Sequence, residues 1–153
     1  MQMTNNIEIA LKIGLNELKF GLTPDEVLKI LGTPDEKEKM QEEGRDTEMW
    51  FYDEDGITVF FEKFEKMRCV LLETENENTF LFGNKIFELK EKAIKDLFLL
   101  NGYSDFLEET ETWGEKRLSV DDAVLDIYFE KNKIVAISWG VDYDDNKPLW
   151  PSL

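Results

Sequence analysis

The chain has 153 residues, a size at which one compact domain buries about 68–70% of the surface that its unfolded form exposes. Its 42% hydrophobic and 12% aromatic content excludes disorder, the lack of histidine excludes imidazole catalysis and imidazole metal ligation, and a lone cysteine excludes an internal disulfide. A formal charge of −16, from 34 acidic against 18 basic residues, sets the chain against phosphate backbones and anionic membranes and toward basic proteins.

In chain order, the opening stretch "MQMTNNIEIALKIG" lacks a cationic start and a long apolar run, so neither a secretory signal nor a membrane span is expected and a cytoplasmic location is. Within it "NIEIALKI" reads as a strand. "KFGLTPDEVLKILGTPDE" then carries every signal of a short helix. Thr23 caps it, Pro24 takes the first helical position, Glu26 completes a capping box, and Leu22 and Val27 have the spacing of a hydrophobic staple. Gly32 supplies the stop and Pro34 prevents resumption.

The acidic stretch "PDEKEKMQEEGRD" predicts a strand and an exposed loop. "DTEMWFY" and "GITVFFE" are strands flanking "DEDG", where Asp55-Gly56 is a hairpin signal, and "MRCVLLE" follows with Cys69 as a buried, inert thiol. Asp53, Glu54 and Asp55 suit this turn better than a calcium loop, whose further ligands and spacing are missing. A second helix is predicted at "LKEKAIKDLF", stapled by Leu89 and Ile94, stopped by Asn101-Gly102, and with Lys90 in the capping position. "ETWGEKRLSV", "AVLDIYFE" and "KIVAISW" are strands, "DYDDN" is a solvated loop, and "KPLWPSL" is either a tethered tail or a small partner-binding tag around Trp150.

Internal matches suggest duplication. "FFEKFEKMRCVLL" echoes "YFEKNKIVAISW", and "LTPDEVLKIL" echoes "LKEKAIKDLF", at nearly the same spacing and in the same order. The expected fold is therefore α+β: two tandem repeats, at roughly residues 15–76 and 83–141, within a single compact domain 1–153 ending in a short tail. Each repeat would be a short helix followed by an antiparallel β-meander, with helices packed on one sheet face. Alternation puts Ile57, Val59 and Phe61, answered by Leu125, Ile127 and Phe129, on the core side. Thr58, Phe60, Asp126 and Tyr128 then face outward.

The motif Phe20-Gly21-Leu22-Thr23-Pro24 through Val27, then Leu31-Gly32-Thr33-Pro34, resembles the small outer-membrane assembly lipoproteins of the SmpA/OmlA (BamE) type and the tandem-repeat β-lactamase inhibitor proteins. The resemblance covers one helix and its flanks. It implies a two-unit α+β scaffold whose free sheet face binds protein, and it carries over no individual residue.

The leading functional expectation is a non-enzymatic binding protein that docks onto a basic protein, with an immunity or inhibitor protein as its concrete version. Candidate partner-binding residues are Trp50, Tyr52, Phe60, Trp113 and Tyr128, with Asp53 and Asp55; Trp50 and Tyr52 qualify if strand pairing sets them beside Phe60. No catalytic residue, metal, cofactor, nucleic acid or membrane is expected. The alternatives are a carboxylate-based enzyme or small-ligand binder in a cleft between the repeats, and a structural or homodimeric module; the oligomeric state is open.

Overall fold

Strand accounts for 49% of the chain and helix for 17%, so the architecture is mainly β. The computed structural model describes residues 6–42 and 44–152. The start of the N-terminal stretch read for targeting signals, Glu43 of the acidic loop and the last residue of "KPLWPSL" lie outside the described residues. Among the described residues no helix is long and apolar enough to cross a membrane.

Three short strands open the chain: β1 (Ile7–Ala10), β2 (Gly14–Leu15) and β3 (Leu18–Lys19). Helix α1 (Pro24–Leu31) leads into β4 (Glu36–Glu42), β5 (Arg45–Tyr52), β6 (Ile57–Phe64) and β7 (Lys66–Thr74). After β8 (Thr79–Leu81), β9 (Asn84–Lys85) and a 3₁₀ turn comes α2 (Glu91–Leu100). The remaining strands are β10 (Phe106–Thr110), β11 (Glu115–Val120), β12 (Leu125–Glu130), β13 (Lys133–Gly140), β14 (Tyr143–Asp144) and β15 (Lys147–Pro148).

One eight-stranded antiparallel sheet runs β10-β11-β12-β13-β7-β6-β5-β4. A five-stranded sheet runs β3-β2-β1-β8-β9, with β1 parallel to β8, and β14 and β15 form a separate hairpin. This corrects the expected class of α+β repeats with helices as the covering layer. At 1.5 Å per residue the two helices are roughly 12 and 15 Å long, against a sheet roughly 34 Å across. They cannot cover it. The core instead joins both sheets: Ile7, Leu15, Leu18 and Leu81 share one cluster with Val59, Leu72, Ile127 and Trp139, and with Val27 of α1 and Phe98 of α2.

Local sequence accounts for the helix ends. The Glu26 amide donates to Thr23 Oγ1 (3.3 Å) and the Thr23 amide donates to Glu26 Oε1 (3.0 Å), while the Gly32 amide donates back to Leu28. These bonds from Thr23 hold the Glu26 carboxyl below its ordinary pKa. The Lys90 side chain makes no capping bond to α2. Thr23→Ala should therefore cost about 1 kcal/mol. Urea denaturation checks this, and an unchanged midpoint would show the cap to be idle.

Trp139 is fully buried on β13, and its indole Nε1 donates to the Gly14 carbonyl at 2.9 Å. This bond ties the large sheet to the N-terminal strands. Gly14 has φ +152, and the space where a Cβ would stand lies 1.9 Å from the Leu18 carbonyl oxygen.

Candidate functional site

On the face of the large sheet opposite the core, pairing sets Thr58, Glu73, Ser138, Asp126 and Ser119 in one row across β6, β7, β13, β12 and β11. The neighbouring row holds Met49, Phe60, Leu71 and Gly140. Gly140 keeps that row close, since a Cβ there would stand 3.0 Å from Leu71 Cδ1 and 3.1 Å from the Val70 carbonyl oxygen. Beside these residues lies a mainly apolar depression of about 310 Å³, lined by Phe60, Leu71, Val141 and Tyr143 with Thr47 and Glu62 among its polar neighbours.

Charge on this face is unevenly answered. Glu62 pairs with Arg45 at 3.3 Å, and Asp126 accepts a short hydrogen bond from the Ser119 hydroxyl. Glu73 is half-buried on β7, between Thr58 of β6 and Ser138 of β13, and among the described residues no salt bridge or side-chain hydrogen bond reaches it. Burial, and secondarily the nearby Glu75 charge, raises its pKa above the ordinary carboxylate value.

The C-terminal segment packs at one end of this face. Phe64 meets Tyr143 and Trp150 at ring-centroid distances of 6.4 and 5.8 Å, Arg68 sits over the Trp150 ring, and Lys19 Nζ donates to the Ser152 carbonyl at 3.0 Å. Residues 147–152 are thus held against the fold, with Trp150 packed against the core.

The expected site residues do not form one patch. Trp50 and Tyr52 are corrected: they are only 3% and 5% exposed, because the register sets them opposite Val59 and Ile57 on the core face and leaves Met49 opposite Phe60. Trp50 meets Phe61 edge-on at 4.9 Å and carries Lys37 over its ring, while the Tyr52 hydroxyl donates to the Gly32 carbonyl at 2.9 Å. Asp55, also corrected, is nearly buried in its turn, where its carbonyl accepts from Asn76 Nδ2 at 2.9 Å. The exposed Asp53 donates its amide to Asp35 Oδ2 at 2.8 Å.

Phe60 and Tyr128 are half-buried on the outward face. Trp113, 72% exposed, stands at the β10–β11 turn on one edge of the sheet, its Nε1 donating to Glu115 Oε2 at 3.1 Å. Leu71, Glu73 and Tyr143 were not legible as site residues. The one sequence signal, for Glu73 alone, was the carboxylate that ends the apolar run of "MRCVLLE", and the irregularity opposite Phe60 and Phe61 shifts the facing of that strand.

A second concavity, of about 400 Å³, lies where α2 begins. Lysines 90, 92, 116 and 131 line it with a single carboxylate, Glu91. Lys116 Nζ bonds Glu91 Oε1 at 2.7 Å and Glu108 Oε1 at 3.1 Å, and Lys95 Nζ bonds the same Glu108 oxygen at 2.6 Å. Hydrogen bonds from Lys95 and then Lys116 pull the Glu108 pKa down to about 2, and the bond to Glu91 raises that of Lys116. Among the described residues no group of three or more His, Cys, Asp or Glu side chains could hold a metal ion.

The family model for DUF7738, a domain of unknown function, matches residues 7–134, from β1 into β13 and through both helices. The chain belongs to the DUF7738 family. The family match thus contains Phe60, Leu71, Glu73 and Asp126, while Ser138, Gly140 and Tyr143 follow it. No curated protein matches the chain. Among solved structures, a 1.5 Å crystal structure of an extracellular protein containing an SCP domain from Bacillus anthracis str. Ames superposes with a TM-score of 0.50. That likeness has 14% sequence identity and covers 93% of this chain and 50% of the other. This DUF7738 chain therefore spans about half the length of that protein, and at such identity the likeness concerns fold alone.

Proposed function

We propose that this DUF7738 protein is a non-enzymatic binding domain that docks a basic protein on the outward face of its eight-stranded sheet. The observation that carries this reading is Glu73, a half-buried carboxylate without a cation beside it among the described residues, adjoining the apolar depression at Phe60 and Leu71. A carboxylate desolvated without compensation is costly, and a lysine or arginine from a partner removes that cost. The depression takes an apolar anchor, and the net charge of −16 steers a basic partner toward the molecule. An inhibitor that covers the positive surface of a basic protein is the concrete form of this reading.

The test is capture from the native cell with wild-type protein and with Glu73→Gln, followed by affinity measurement on the purified partner. Wild type should hold a basic protein whose binding weakens with salt, and Glu73→Gln should lose about 2–5 kcal/mol of it while keeping the fold. Equal affinity of both forms, or only acidic and neutral proteins recovered, would overturn the proposal.

A further inference from the structure

Docking on the outward face leaves the concavity at the start of α2 unexplained. Its cations come from separate places in the chain: Lys90 and Lys92 at the beginning of α2, Lys116 on β11, and Lys131 in the turn between β12 and β13. In a chain with 34 acidic and 18 basic residues, four lysines here meet one carboxylate in the lining. Their surroundings divide them. Lys116 is already held between Glu91 and Glu108 and is part of the wall. Lys92 has only the exposed Asp96, at 3.4 Å. Lys90 and Lys131 have no ion pair among the described residues.

The β12–β13 turn fixes part of the rim. Lys131 and Asn132 have φ values of 52° and 65°, and this tight two-residue reversal sets the lysine and the Asn132 amide together at the opening. Like charges gathered this way repel one another, and an anion between them removes the repulsion. A space of about 400 Å³ exceeds what a bare phosphate fills and falls in the range of small-ligand sites.

We propose that this concavity binds a small polyanion through Lys90, Lys92 and Lys131, with the Asn132 amide as an added donor. Phosphate-bearing and polycarboxylate ligands share that chemistry, so inorganic pyrophosphate and citrate are the two probes. Each is titrated into the full-length, isotope-labelled protein and followed by amide shifts and calorimetry. We expect saturable binding with shifts confined to residues 90–92, 114–116 and 129–132. The double variant Lys90→Gln/Lys131→Gln should weaken it at least tenfold, and Lys63→Gln/Lys66→Gln, on the distant β6–β7 turn, should leave it unchanged. Tighter binding of pyrophosphate assigns a phosphate ligand, and tighter binding of citrate a polycarboxylate. Shifts scattered over surface lysines without saturation, or equal loss in both double variants, would mean an adventitious ion only and would overturn the proposal.

Discussion

Trp139→Ala should destabilise the protein by about 3–5 kcal/mol, the range for deleting a large, fully buried aromatic side chain. Two effects combine in this estimate. The indole is among the largest fully buried side chains, so alanine leaves a cavity in the cluster that joins the two sheets. Its Nε1 also satisfies the Gly14 carbonyl, which would lose its partner. Trp139→Phe weights the two effects differently, since it loses the hydrogen bond but leaves a much smaller cavity than alanine, for about 1–3 kcal/mol. Urea denaturation with a shared m-value measures both. A Trp139→Ala midpoint at the wild-type position would show that the joint between the sheets contributes little.

The second large effect is at the other end of the same bond. Gly14→Ala should cost about 3 kcal/mol or more, at or beyond the upper end for forced backbone strain. The new Cβ would stand 1.9 Å from the Leu18 carbonyl oxygen and 2.9 Å from Lys19 Cα, and both are backbone atoms that no rotamer change can move. Relief requires opening the pairing of Gly14 with Lys19, and hence of β2 with β3. Gly114→Ala is the control. Gly114 also has positive φ, +93, but a Cβ there meets nothing within 4 Å, so its cost should be about 1–2 kcal/mol. Thermal unfolding compares the two, and equal losses would refute the steric account. Because Trp139 and Gly14 share one contact, the two large effects should add to less than their sum in the double variant.

The portions legible in sequence are those governed by neighbours along the chain. Thr23, Glu26 and Gly32 bound α1 through bonds spanning three or four residues, so their spacing suffices to place the helix. Alternation in β6 and β12 likewise identifies the buried Ile57, Val59, Phe61 and Leu125, Ile127, Phe129 without knowledge of their partners. Gly56, at φ +66, marks the β5–β6 reversal for the same local reason.

Trp50 and Tyr52 show where that reasoning ends. Alternation groups them with each other and against Met49 and Phe51, but which group meets the core is decided by register with β6. A shift of one residue exchanges the two sets, and aromatic residues on both make composition a poor guide. The outward face is hidden in the same way, because the neighbours of Glu73, Ser138 and Thr58, are set only by pairing between strands distant in the chain.

By itself the sequence determined the capped first helix, the inward alternation of its long strands, an acidic surface and the absence of imidazole chemistry, all of which depend on residue identity or short-range geometry. Only the tertiary structure decided the mainly β class, the five-stranded sheet built from strands too short to show a period, and the meeting of distant lysines at one concavity. These follow from parallel pairing of β1 with β8, the bond from Trp139 to Gly14, and the register of β5 on β6. Each joins segments that are separated in the chain and is selected by burying apolar surface shared between them, a quantity that no local window contains.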